Sequence, residues 1–279
     1  MKLAIPALAV PRTIRRRRGL VEFWLCLGLF LGSFSRSATG QWLNYPSPGI
    51  PRTPDGKPNL SAPAPRSQDG KPVLDGIWFI DDTPLGEFGE RPLALRGTKP
   101  KPEDVILTPE GEAMQRRRKE NYFAGAQCLP MNIAGLAAAQ PFKIFSNRGV
   151  VVILYEVQTT YRQIFMDGRE LPKDPNPAWR GYSVGKWDGD TLVVDTTGFN
   201  DRTGVPLGGP HSDALRIIER FRRRDFGHLE IQYTIDDPKV YVKPWTVKQE
   251  HHLTPDTELM EYICNENEKD LKHMVSLDQ

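Results

Sequence analysis

The chain has 279 residues, with 37 Lys plus Arg, 35 Asp plus Glu, 39% hydrophobic residues, 25 prolines and three cysteines. Its basic surplus sits at the start: residues 1–40 hold seven basic side chains (Lys2, Arg12, Arg15, Arg16, Arg17, Arg18, Arg36) and one acidic one, Glu22. Without them, 30 basic and 34 acidic residues remain, a net charge of −4. Such a balance argues against nucleic acid, which asks for a clustered positive face.

The first forty residues read as a signal peptide. Lys2, Arg12 and the run Arg15–Arg18 form a positive region, "FWLCLGLFLG" is an apolar stretch short for a bilayer span, and small residues Ala38 and Gly40 precede Gln41. "RRGLV" loosely fits a twin-arginine signal, while the apolar stretch favours the ordinary unfolded route. An uncleaved anchor is the alternative. The expectation is an exported protein, periplasmic or secreted, with no membrane span once the leader is removed.

Residues 41–73 read as a proline-rich tether. Eight prolines fall between residues 41 and 72, and "PRTPDGKPNL" recurs as "PRSQDGKPVL". Proline fixes φ and lacks a donor, so an extended, polyproline-like spacer is expected. Order is expected from "LDGIWFIDD" onward, in one domain over residues 74–270 with a tail at 271–279. "TPEGEAMQRRRKENY" predicts a short helix near residues 109–121, with Thr108 as N-cap and Pro109 at the first helical position.

From Gly149 the pattern becomes strands and turns. "VVVILYEV" is β-branched, and "TYRQIFMDG" returns from it. "YSVGKWDGDTLVVDTTGF" sets Asp188-Gly189 between two strand-like halves. "LRIIERFRRRDFGHLEIQYTI" turns near Asp225–Gly227, with Leu229, Ile231, Tyr233 and Ile235 on one face. "WTVKQEHHL" and "LMEYIC" close a series of about eight strands. The fold expected is all-β: an antiparallel up-and-down barrel or curved meander, lipocalin-like, with one short helix.

"GKWDGDTLVVDTTGFND", "PHSDALRIIERFRRRD", "TIDDPKVYVKPW" and "EYICNEN" resemble signatures of a group of exported bacterial β-rich proteins of unassigned function. The resemblance spans most of residues 74–268. It implies a secreted β-rich domain after a proline-rich tether, and no reaction, cofactor or catalytic residue.

Chemistry must therefore come from the residues. Cys26 lies in the leader, which leaves Cys128 and Cys264; a disulfide between them would be worth about 4–5 kcal/mol on a chain-entropy argument, and two buried free thiols are the alternative. Ser183 in "GYSVG" fits G-x-S-x-G, but a hairpin follows it and not a helix, which argues against a nucleophile. "DGD" lacks the other ligands of a calcium loop, and His251 and His252 point to opposite faces, so no metal is expected. Without a phosphate loop or dinucleotide fingerprint, no cofactor is expected either.

The remaining polar set lies in loops and strand ends. His211, Asp236, Asp237 and Tyr241 are the catalytic candidates, as an acid/base cluster with a hydroxyl donor. Asp167, Arg169, Trp187, Glu219, Lys243 and Trp245 are the ligand-binding candidates. Each has a plainer reading: "DGR" is a turn, Asp236-Asp237-Pro238 ends a strand, Glu219 pairs an arginine, and the tryptophans fill core and rim. The leading expectation is a barrel that binds a small organic or saccharide-like ligand. A cofactor-free lyase, isomerase or hydrolase is the alternative, and a purely structural envelope protein a third.

Overall fold

A computed structural model of the chain describes residues 46–80, 102–121, 130, 133, 141–147, 149–202, 209–263 and 266. The described residues belong to one compact unit. Nine strands close into a barrel in sequence order: β1 (Gly76–Ile80), β2 (Phe142–Asn147), β3 (Val150–Tyr155), β4 (Thr160–Phe165), β5 (Tyr182–Asp188), β6 (Thr191–Thr197), β7 (Arg216–Arg223), β8 (His228–Asp236) and β9 (Trp245–Leu253). The all-β, lipocalin-like expectation holds. Among the described residues, no helix is long and apolar enough to cross a membrane.

Side-chain alternation drives closure. In β8, Leu229, Ile231, Tyr233 and Ile235 are buried while the intervening residues are half-exposed. Register carries this parity around the wall. Ser183 lies opposite Thr196, Thr196 opposite Ile217, Ile217 opposite Ile235 and Ile235 opposite Trp245. One inner row thus crosses five strands, and β9 pairs with β1 to complete the circle.

The sequence pattern misses one pairing. β4 and β5 run parallel, with Ile164 opposite Ser183 and Phe165 opposite Val184. A parallel pair needs a long crossover. Residues 166–181, with Pro172, Pro175 and Pro177, carry the chain back so that β5 starts at the same end as β4.

The two ends of the barrel differ. Tight links join β2 to β3, β5 to β6 and β7 to β8 at the turn end; Gly189, with φ of +59°, supplies the left-handed residue of the Asp188-Gly189 hairpin. The loop end receives the longer connections, 198–215 and 237–244 among them. The helix α1 (Pro109–Asn121) packs there, starting as its sequence predicts: the Gly111 amide donates to Thr108 Oγ1 at 3.0 Å. Gly111 is needed because a Cβ would collide with the Val240 carbonyl.

The described part of the segment expected as an extended spacer, residues 46–73, instead folds onto the turn end. The two near-repeats make the same structure twice. In the first, Thr53 N donates to Lys57 O and Gly56 N to Thr53 O; in the second, Ser67 N donates to Lys71 O and Gly70 N to Ser67 O. The physical reason lies in "DGK": Gly56 and Gly70, at φ of +81° and +77°, turn the chain, and Thr53 or Ser67 accepts or donates within the turn. Proline punctuates these turns and does not extend the segment. The Cys128–Cys264 bridge and the residues 1–40 expected as a signal peptide lie outside the described residues.

Candidate functional site

The strands place a polar half-ring inside the barrel. Arg162 faces inward because it shares parity with Ile164 in β4, as Glu219 does with Ile217 and Phe221 in β7. Their side chains are 1% and 2% exposed and pair fork to carboxylate: Arg162 Nη1 to Glu219 Oε1 at 2.9 Å and Nη2 to Oε2 at 2.5 Å. Arg162 Nε also donates to Ser183 Oγ at 3.0 Å and Nη2 to Thr196 Oγ1 at 2.8 Å. Burial alone would lower the Arg162 pKa, but the Glu219 charge and its hydrogen bonds outweigh it, and the guanidinium is held more firmly protonated than usual. Burial raises the Tyr155 and Tyr233 hydroxyls above their usual range, Tyr233 strongly so. Arg180, approaching from the loop end, is pushed down to about 10 by burial.

Ser183 and Thr196 hydroxyls lie 3.0 Å apart. Both oxygens accept from Arg162, and the bond between them uses one of their two hydrogens. The other hydrogen points elsewhere. In the same inner row, across the barrel on β9, Trp245 is 3% exposed, and its indole Nε1 is buried with no hydrogen-bond partner among the described residues. Trp245 meets Tyr241 edge to face, with ring centroids 5.6 Å apart. At about 4.8 Å per strand, the row places Trp245 and Ser183 on opposing arcs of the wall.

His211, Asp237 and Tyr241 do come together, as a clamp at the loop end. The Asp237 carboxylate accepts from Ser212 N at 2.6 Å and Ser212 Oγ at 2.8 Å. Tyr241 Oη donates to the Pro210 carbonyl at 2.8 Å. His211 Nδ1 lies 3.0 Å from the Ser212 carbonyl, which only accepts, so that nitrogen carries the proton. All three residues are buried. Asp237 thus holds the segment that carries His211.

The other candidates disperse. Asp236, next to Asp237 on an extended chain, points outward, paired in register with Arg216. Asp167 and Arg169 close on each other in an exposed turn, where Arg169 also reaches Tyr182 Oη at 3.0 Å and lies over the Phe165 ring. Lys243 pairs with Asp104 at 3.0 Å near the surface. Trp187 packs against the core four residues along β5 from Ser183. Trp187 thus shares the inward face with Glu219 and Trp245, but only Glu219 and Trp245 are buried. Sequence reading missed Arg162, Thr196, Tyr155 and Arg180. A charged residue on the apolar parity of a strand was the available signal for Arg162. No group of three or more His, Cys, Asp or Glu able to hold a metal occurs among the described residues.

No family model, curated protein or solved structure matches the chain.

Proposed function

We propose that this is an exported protein that binds a small, polar, ring-containing organic molecule, saccharide-like in its hydrogen bonding, inside the loop end of the barrel. The observation that carries the reading is the Trp245 indole N–H. A buried donor without an acceptor is disfavoured by about 1–3 kcal/mol, and a ligand oxygen would relieve it. The spare hydroxyl hydrogen of Ser183 or Thr196 supplies a second donor in the same row. Tyr155, Tyr233, Tyr241 and Trp245 offer ring faces. The Arg162–Glu219 pair is neutral as a unit and adds no net charge to the site.

The acid/base alternative keeps one supporting feature, the gathering of His211, Asp237 and Tyr241. It ranks second because Asp237 spends its carboxylate on the Ser212 amide and hydroxyl and Tyr241 its hydroxyl on the Pro210 carbonyl.

The test is native mass spectrometry of the purified protein, before and after exposure to a metabolite extract of its own cells, with release and identification of whatever is bound. A one-to-one complex with an unaltered neutral molecule is expected, weakened about 10- to 100-fold in Trp245→Phe. A chemically altered product would favour the alternative. Binding that is equal in Trp245→Phe, or no binding at all, would sink the proposal.

A further inference from the structure

The turn end carries the second feature with a mechanical meaning. Residues 46–75 lie across it as a strap, fixed at matching points by the two repeats. In each, the arginine folds back on its own turn, Arg52 Nη1 to the Gly56 carbonyl at 3.1 Å and Arg66 Nη1 to the Gly70 carbonyl at 2.7 Å. Each guanidinium then reaches a barrel aspartate: Arg52 to Asp256 at 2.7 Å, Arg66 to Asp190 at 2.6 Å. Between these points the strap adds two backbone bonds, from Phe226 N to the Ala62 carbonyl and from Gly227 N to the Leu60 carbonyl, both 2.7 Å. Gly227 has no room for a side chain, since a Cβ there would collide with Leu60.

The strap is held lightly compared with what it covers. Up to residue 71 its apolar contributions, Ile50, Leu60 and Ala62, are only partly buried, whereas Pro72 and Leu74 at its base and Trp78, Phe221 and Leu229 beneath the turn end are buried. Three of the four side chains in these two ion pairs are a quarter or more exposed, and exposed pairs are weak and screened by salt. A segment joined by few buried contacts and by exposed bonds opens more easily than the barrel it covers. Its base is firmer: the buried Arg223, between Trp78 and Phe226, donates to the Val73 carbonyl at 2.6 Å.

We infer that residues 46–72 are a flap over the turn end, hinged near Val73 and closed by two copies of one arginine latch, which opens without the barrel unfolding. The inference stands apart from the binding reading: the flap is measurable with no ligand present.

Hydrogen exchange read by mass spectrometry on the full-length chain tests it. The Phe226 amide reports the strap, the Gly227 amide, which also donates to Asp225 Oδ1 at 3.0 Å, reports it in part, and the amides of β8 report the barrel. In the wild type, the strap reporters should exchange well ahead of β8 and speed up about two- to tenfold in 1 M NaCl, with β8 unchanged. The double variant Arg52→Ala/Arg66→Ala should show the same acceleration in low salt and respond little to added salt. Each single variant should fall between. If the strap reporters exchange only together with β8, or respond to neither salt nor the variants, there is no flap. The salt series on the wild type decides the matter even if the double variant folds poorly. Loss of ligand binding alone would leave this result intact.

Discussion

Arg162 and Glu219 stand in a position where two effects oppose each other. Taking both ions out of water is costly, and the fork geometry with Ser183 and Thr196 offsets that cost. Removing one partner leaves a buried charge. Arg162→Met should therefore destabilise the fold by about 3–5 kcal/mol in urea denaturation, while Arg162→Met/Glu219→Leu should recover most of that loss. If the double variant is as unstable as the single one, the pair's structural role is larger than its charge balance. Legibility at this scale was uneven. Glu219 could be read from strand parity, since it shares a face with Ile217 and Phe221. The adjacent aspartates also resolve by parity: Asp236 faces out and Asp237 in, where it binds Ser212. What no local pattern carries is that Asp237 meets a residue 25 positions earlier.

The elements differ in how local their causes are. The helix start and the Asp188-Gly189 and Asp225–Gly227 turns depend on residues within a few positions of one another, and the sequence displays them. The parallel pairing of β4 with β5 depends on where residues 166–181 travel, and the docking of the strap depends on turns more than a hundred residues away. Thr108 joins both kinds of cause. Its hydroxyl caps α1 by accepting from Gly111 and also donates to the Lys239 carbonyl at 2.6 Å. Thr108→Ala should cost about 1–2 kcal/mol in thermal or chemical unfolding, the larger figure reflecting the two lost bonds. A Thr108→Ser variant should keep nearly all of the stability. If alanine were neutral, α1 would contribute little to the loop end.

For the molecule as a whole, charge is arranged around the outside in short-range pairs, among them Arg216–Asp195, Arg220–Asp188 and Arg224–Glu250 on one face. Hydrogen bonds from Arg66, Arg169 and Lys239 hold Asp190, Asp167 and Asp213 below the ordinary value of 3.8, and Arg52 does the same for Asp256. A lowered folded-state pKa contributes stability above the unfolded value and loses it as pH falls through the folded one. Glu250, raised by burial, works in the opposite direction. Thermal melts should therefore hold from pH 7 to near 4 and decline below, and 1 M salt should flatten the decline. A midpoint that instead falls steeply between pH 7 and 5 would point to a group other than these aspartates. One further consequence follows from how the chain leaves its barrel. The strap begins beside Asp256 at the turn end, whereas the last stretch crosses to the loop end, where Met260 N donates to Glu156 and Tyr262 N to Thr159. The two chain directions thus label opposite poles. A protein held to a surface through the segment before residue 46 presents its loop end to solution, and one held through the segment after residue 263 is gripped beside that end.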